Sequence, residues 1–179
     1  MKIAKIENSN RRVVLKDNGL WDYYETIDDV LNYSFDDLIK KEVDKMTKIE
    51  KRSFIKGINI SNYSDDSRLS FYGFSEKNAD YMYLGIHAYG AGDCIEEGSE
   101  IIFLFKDEQI IKLQNTNEYN CDNLATLYMT IEKFEYTINY LRTVELDAVR
   151  VHTEDGYVQV EFDEIQSLKI KKSIQFLLE

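Results

Sequence analysis

From Phe54 to about residue 114 the apolar residues recur at every second position, and no segment of helical period intervenes. Runs near 54–60, 68–74, 80–89, 100–106 and 109–114 are rich in Ile, Phe and Tyr and are bounded by Asn, Asp, Ser and Gly. Strands in direct succession cannot be joined by crossover helices, so they pair antiparallel, as a meander or a Greek key. The run Tyr81–Tyr89 is the most informative. Met82, Leu84, Ile86 and Ala88 project to one side and are assigned to the core, while Tyr81, Tyr83, Gly85, His87 and Tyr89 project to the other.

The residues before this region read differently. Phe35, Leu38, Ile39, Val43, Met46 and Ile49 fall on one stripe at helical spacing, with Ser34 as N-cap and Asp36 and Asp37 in the first turn. Lys48, Lys51 and Arg52 stand at the other end, so the pattern predicts a long helix over 35–51. A shorter helix over 27–32 is expected to precede it, capped by Thr26. Earlier still, residues 12–16 read as a strand ended by the turn signal Asp17-Asn18-Gly19.

The last third predicts a strand at 125–130, a helix at 132–142 with Phe134, Ile138 and Leu141 inward, and a hairpin at Asp155-Gly156. A two-residue Asp-Gly loop of type I′ would pair Thr153 with Val158, Val151 with Val160 and Val149 with Phe162. On the opposite face it would pair His152 with Gln159 and Arg150 with Glu161. A C-terminal helix presents Ile170, Ile174, Leu177 and Leu178 on one side. The expected fold is therefore α+β: a predominantly antiparallel sheet of about six to eight strands, one long N-terminal helix and two C-terminal helices. With no proline anywhere, residues 1–179 are read as a single domain. Its parts are a helical N-terminal subregion at 1–53, a β-rich centre at 54–131 and a βαββα-like unit at 125–179.

Charge narrows the function. The chain carries 22 basic and 33 acidic side chains, a net charge of −11. Sequence-independent nucleic-acid binding needs basic residues to neutralise phosphates, so that class is disfavoured. The balance is +1 over 1–57, −8 over 58–131 and −4 over 132–179, which places the acid in the middle and permits a basic partner. The N-terminus shows no apolar signal segment, and no run approaches the eighteen or so apolar residues needed to span a bilayer. Cys94 and Cys121 are too few for a disulfide framework and are read as two reduced thiols. Cytoplasm is the expected location.

Catalytic and metal signatures fail one by one. His87 and His152 have no second His or Cys at ligand spacing, so no metal and no cofactor are expected. The loop 90–98 carries Asp93, Glu96 and Glu97 but lacks the alternating ligands of an EF-hand, and it reads as a solvated acidic connection. Its glycines have acidic neighbours that would repel phosphate and strands on both sides, and Cys94 has no basic neighbour to lower its pKa for catalysis with His87.

What remains is the aromatic face. Tyr81, Tyr83, His87 and Tyr89, with the acidic Asp93, Glu96 and Glu97 next along the chain, form the candidate binding site. Tyrosine suits an interface because it joins a large apolar body to a polar tip at low entropy cost. A covering layer such as the 35–51 helix would instead bury the face. The leading expectation is a non-catalytic protein-binding domain that neutralises or regulates a basic partner. In size, acidity and lack of catalytic motifs the chain is similar, in general character, to bacterial toxin-neutralising immunity proteins; no motif carries that likeness. The alternatives are a small-ligand or lipid-binding module with a tyrosine-lined groove, and an enzyme without sequence signature.

Overall fold

The computed structural model describes residues 2–5, 12–15, 21–61, 67–90 and 94–179. The turn signal at Asp17-Asn18-Gly19 and the loop residue Asp93 lie outside them.

A small antiparallel sheet comes first, of β1 (Lys2–Lys5), β2 (Arg12–Leu15) and β3 (Trp21–Tyr24) in that order. Two short helices follow, α1 (Ile27–Leu31) and α2 (Phe35–Leu38). Both begin with a capping box, in which Thr26 and Ser34 exchange hydrogen bonds with Asp29 and Asp37. The N-caps stand where the sequence puts them.

The long helix over 35–51 does not form. After one turn at Phe35–Leu38 the chain extends into β4 (Ile39–Val43), turns at 44–49 and returns as β5 (Glu50–Phe54). Asp44 builds the turn. Its Oδ1 accepts from the backbone N–H groups of Met46 and Thr47, 2.8 Å each, and Lys48 takes a positive φ of 60°. The physical reason for the hairpin is nonlocal. β5 pairs with β7 (Arg68–Glu76) and lays the Phe54 ring over Gly73, where a Cβ would approach that ring to 2.4 Å. Once Phe54 occupies that gap, β5 belongs to the sheet and β4 follows through the turn. Of the six residues on the helical stripe, only Leu38 and Ile39 are buried.

The single main sheet expected of the chain is instead two. The larger runs β11 (Leu124–Thr130), β8 (Tyr81–Tyr89), β7, β5, β4, with β6 (Ile58–Ser61) also paired to β7. The smaller runs β10 (Ile110–Gln114), β9 (Glu100–Phe105), β12 (Leu146–Thr153), β13 (Gly156–Glu161). Every pairing in both is antiparallel. β11 and the β12–β13 hairpin thus lie in different sheets.

That hairpin keeps its expected faces but not its register. Val151 pairs with Val158 and Val149 with Val160, both pairs buried, while Arg150 faces Gln159 rather than Glu161. The loop residues are Glu154 and Asp155, neither with the positive φ a type I′ turn demands; Gly156, at φ 153°, opens β13 instead. A shift that moves each partner by two positions leaves the apolar face inward, so burial alone does not oppose it.

The inner faces of the two sheets meet in one core. Met82, Leu84 and Ile86 of β8, Phe71 of β7, Ile101 and Phe103 of β9 and Val149 and Val151 of β12 are essentially inaccessible to solvent, each worth roughly 1.5–3 kcal/mol of apolar burial. Phe71 meets Phe162 edge-on at 5.7 Å, joining the larger sheet to the end of the smaller. α3 (Ile131–Thr143) packs on β11 and α4. α4 (Glu164–Leu177) lies against β4 to β7 and β12, burying Ile170, Ile174 and Leu177 as expected. It also holds the N-terminal helices. The Phe35 and Phe176 rings meet at a tilt, 5.9 Å apart, Lys172 Nζ donates to the Leu31 carbonyl at 2.6 Å, and Lys169 pairs with Glu25 at 2.9 Å.

Candidate functional site

Because β8 buries its even-numbered side chains, its odd-numbered ones face outward from the larger sheet. Register then selects their neighbours. Tyr83 pairs with Phe74 of β7 on one side and Tyr128 of β11 on the other; Tyr81 pairs with Thr130, and Gly85 with Tyr72 and Thr126. The Tyr83 and Tyr128 rings are 4.7 Å apart, Tyr81 lies 5.7 Å from Tyr83 and 5.6 Å from Tyr128, and Phe74 lies 6.1 Å from Tyr83. Rings this close touch one another and form one continuous aromatic platform. Among the described residues no long helix covers it. Tyr72, Tyr83 and Tyr128 are 43%, 38% and 39% exposed.

Tyr72, Phe74 and Tyr128 are absent from the sequence-derived site. Each belongs to an alternating run, but only strand pairing brings it beside β8. Tyr81 is the least free of the group. Burial, a hydrogen bond donated to Glu76 and that carboxylate's charge push its hydroxyl up to about 12, so it remains a neutral donor.

Tyr81 and Tyr89 stand at opposite ends of β8, roughly 27 Å apart at the strand rise. His87 and Tyr89 therefore form a separate group. Their rings stack at 5.9 Å, Tyr72 meets His87 edge-on at 5.4 Å, Arg68 lies over Tyr89 at 4.3 Å, and His87 Nδ1 is 3.2 Å from the Asp122 carbonyl.

The acidic residues lie at this second end. Glu96 and Glu97 are exposed, and the adjoining Ile95–Asn120 bridge draws the 94–99 and 115–123 segments together. Glu154 N donates to the Cys94 carbonyl at 2.9 Å, and the Tyr119 hydroxyl donates to Glu154 at 3.3 Å. Desolvation, Glu154, Glu96 and Asp155 together raise the Tyr119 pKa. The two cysteines are not free thiols: Cys94 and Cys121 are joined by a disulfide. The Ile95–Asn120 bridge explains it, because each bridged residue is adjacent in sequence to one of the cysteines. Nucleophilic chemistry at Cys94 with His87 is thereby removed.

The other histidine offers little more. His152 Nε2 is 4.0 Å from Glu100 Oε1 on the outer face of the smaller sheet, where Lys112 also pairs with Glu100 at 3.2 Å. One open depression lies on α3, lined by Glu135, Tyr136, Asn139, Tyr140 and Thr143. Among the described residues no helix is long and apolar enough to cross a membrane.

Together these features define an antiparallel protein of two main sheets and one small N-terminal sheet, with an open aromatic platform on one outer face. Compared with known proteins, the chain matches no family model, no curated protein and no solved structure.

Proposed function

We propose that this is a non-catalytic binding domain that docks a protein partner on the outer face of its larger sheet. The observation that carries the reading is the contiguous, exposed tyrosine platform of Tyr83 and Tyr128, with Phe74 and Tyr81 in support. A flat aromatic surface exposed without a covering layer gains most by burial against a partner of similar flatness. A small molecule would gain less there, since enclosure in a concave pocket supplies most of its affinity. An action that neutralises or regulates its partner belongs to the same proposal.

The reading does not depend on the compartment. The cytoplasmic expectation rested in part on two reduced thiols, and the Cys94–Cys121 disulfide removes that part of its ground.

The test uses the full chain as bait, beside a Tyr83→Ser/Tyr128→Ser variant, in an extract of the source organism. A stoichiometric partner retained by the first and lost from the second is the expected result. A partner held equally by both would place the docking surface elsewhere.

A further inference from the structure

Strand register says what lies next to the platform. The row Tyr128–Tyr83–Phe74 continues onto Ser53 of β5 and Lys40 of β4; the row Thr130–Tyr81 leads, beside Glu76, to Lys51 and Glu42. The β4–β5 turn projects from the same end of the sheet as Tyr81, since Val43 pairs with Glu50 and Lys51 with Glu76. The platform therefore runs into this hairpin, whereas Glu96 and Glu97 follow the far end of β8.

The hairpin has the opposite charge from the molecule. Residues 39–54 hold six basic and three acidic side chains in a chain of net charge −11. Lys40, Lys41 and Lys51 make exposed pairs with Glu42, Asp36 and Asp44 at 3.5, 3.6 and 3.4 Å. Lys45 and Lys48, in the turn itself, form no ion pair among the described residues. Glu76, Lys77 and Asp80 lie at this end too, as do Glu132, Lys133 and Glu135 of α3, which begins directly after Thr130, the register partner of Tyr81. Between Lys45 and Lys48 stands Met46, 91% exposed and held there by the Asp44 turn. A thioether presented on a fixed turn between two unpaired ammonium groups is suited to contact rather than to the core.

We infer that the platform and the hairpin form one docking surface and that its occupant is an acidic protein segment. Apolar side chains of the partner lie on Tyr83, Tyr128 and Met46, and its carboxylates face Lys45 and Lys48. The inference rests on the reading of the platform as a protein-binding face and assigns that partner its charge. Glu96, Glu97 and Glu154, which would suit a basic partner, are exposed at the other end of the sheet, away from Lys45 and Lys48. A nucleic acid long enough to leave the hairpin would meet a surface more acidic than the whole chain.

The test is a random 12-residue peptide display selection on three immobilised proteins: the native chain, Tyr83→Ser/Tyr128→Ser and Lys45→Glu/Lys48→Glu. The expected result is peptides that pair Asp or Glu with aromatic or aliphatic residues. Their affinity should fall about tenfold or more in the tyrosine variant and about fivefold in the lysine variant, with a steep salt dependence. If peptides bind the native chain and the tyrosine variant alike, the platform reading itself fails. If enriched peptides need the tyrosines but are neutral or basic, and ignore the lysine change, the platform stands and the acidic partner is overturned. Displacement of the peptides by a short oligothymidine at equal concentration would likewise overturn it, in favour of a nucleic acid. Circular dichroism of both variants checks that the exposed substitutions leave the fold intact.

Discussion

Tyr83 and Tyr128 are register partners on neighbouring strands, with ring centroids 4.7 Å apart on the solvent side of the larger sheet. Their backbone neighbours Leu84 and Leu127 are also partners, but face the core at 1% and 2% exposure. One residue of displacement along either strand thus separates a binding face from the hydrophobic core.

This alternation predicts a large difference in cost between adjacent positions. Tyr128→Ser should lower stability by about 1 kcal/mol, the worth of an exposed cross-strand aromatic pair. Leu127→Ala should cost about 2–5 kcal/mol through lost burial and the cavity left behind. Urea unfolding of the two variants measures the contrast, and equal midpoints would mean that β11 presents the other face.

Gly73 predicts a steric effect. A Cβ there falls 2.4–2.9 Å from the Phe54 ring, so Gly73→Ala must displace β5 or the ring. The expected loss is about 1–3 kcal/mol. Phe54→Leu in the same chain should recover part of it, and a double-mutant cycle by thermal unfolding gives the coupling.

Cys94 and Cys121, 27 residues apart in sequence, form a disulfide that ties the two segments bridged by Ile95 and Asn120. Breaking it with Cys94→Ser/Cys121→Ser should cost about 2–4 kcal/mol. A non-reducing digest should yield the two cysteine peptides as one mass, and two titratable thiols in the native protein would refute the pairing.

Acid should act locally on the β4–β5 turn. Backbone hydrogen bonds from Thr47 and Met46, with help from Lys51, lower the Asp44 pKa from 3.8 to about 2. A carboxylate whose folded pKa is depressed adds stability that is fully present above its unfolded value and is lost as pH falls through the folded one. The turn should therefore hold above pH 4 and loosen as pH drops toward about 2. Amide chemical shifts of Met46 and Thr47 would follow that midpoint, and a midpoint near 4 would show that the Asp44 turn does not exist in solution.

The buried pairs of the β12–β13 hairpin give a final contrast. Val151→Asp should destabilise severely, because an unpaired charge would enter the core. Arg150→Ala should cost under about 1 kcal/mol, since its bonds to Gln159 at 2.6 and 2.9 Å and its 4.3 Å contact with Tyr157 lie on the outer face. Similar melting temperatures for both would contradict the assigned faces.

Which residues face inward was legible wherever a period-2 pattern continued over a whole strand, as in Met82-Leu84-Ile86-Ala88 and Val149-Val151, because side-chain direction is a local property of the extended chain. The N-caps at Thr26 and Ser34 were legible for the same reason: a cap is satisfied within three residues. Only the tertiary structure decided what those faces meet. The stripe from Phe35 to Ile49 satisfies a helical period, yet Phe54 settling over Gly73, nineteen positions away, draws the chain into a hairpin. The pairing of Cys94 with Cys121, the Phe74 and Tyr128 rings beside Tyr83, and the separation of Glu96 from the platform all follow from strand partners remote in sequence. Periodicity constrains one strand's orientation; which strands pair, and in what register, is set by burial summed over the whole core.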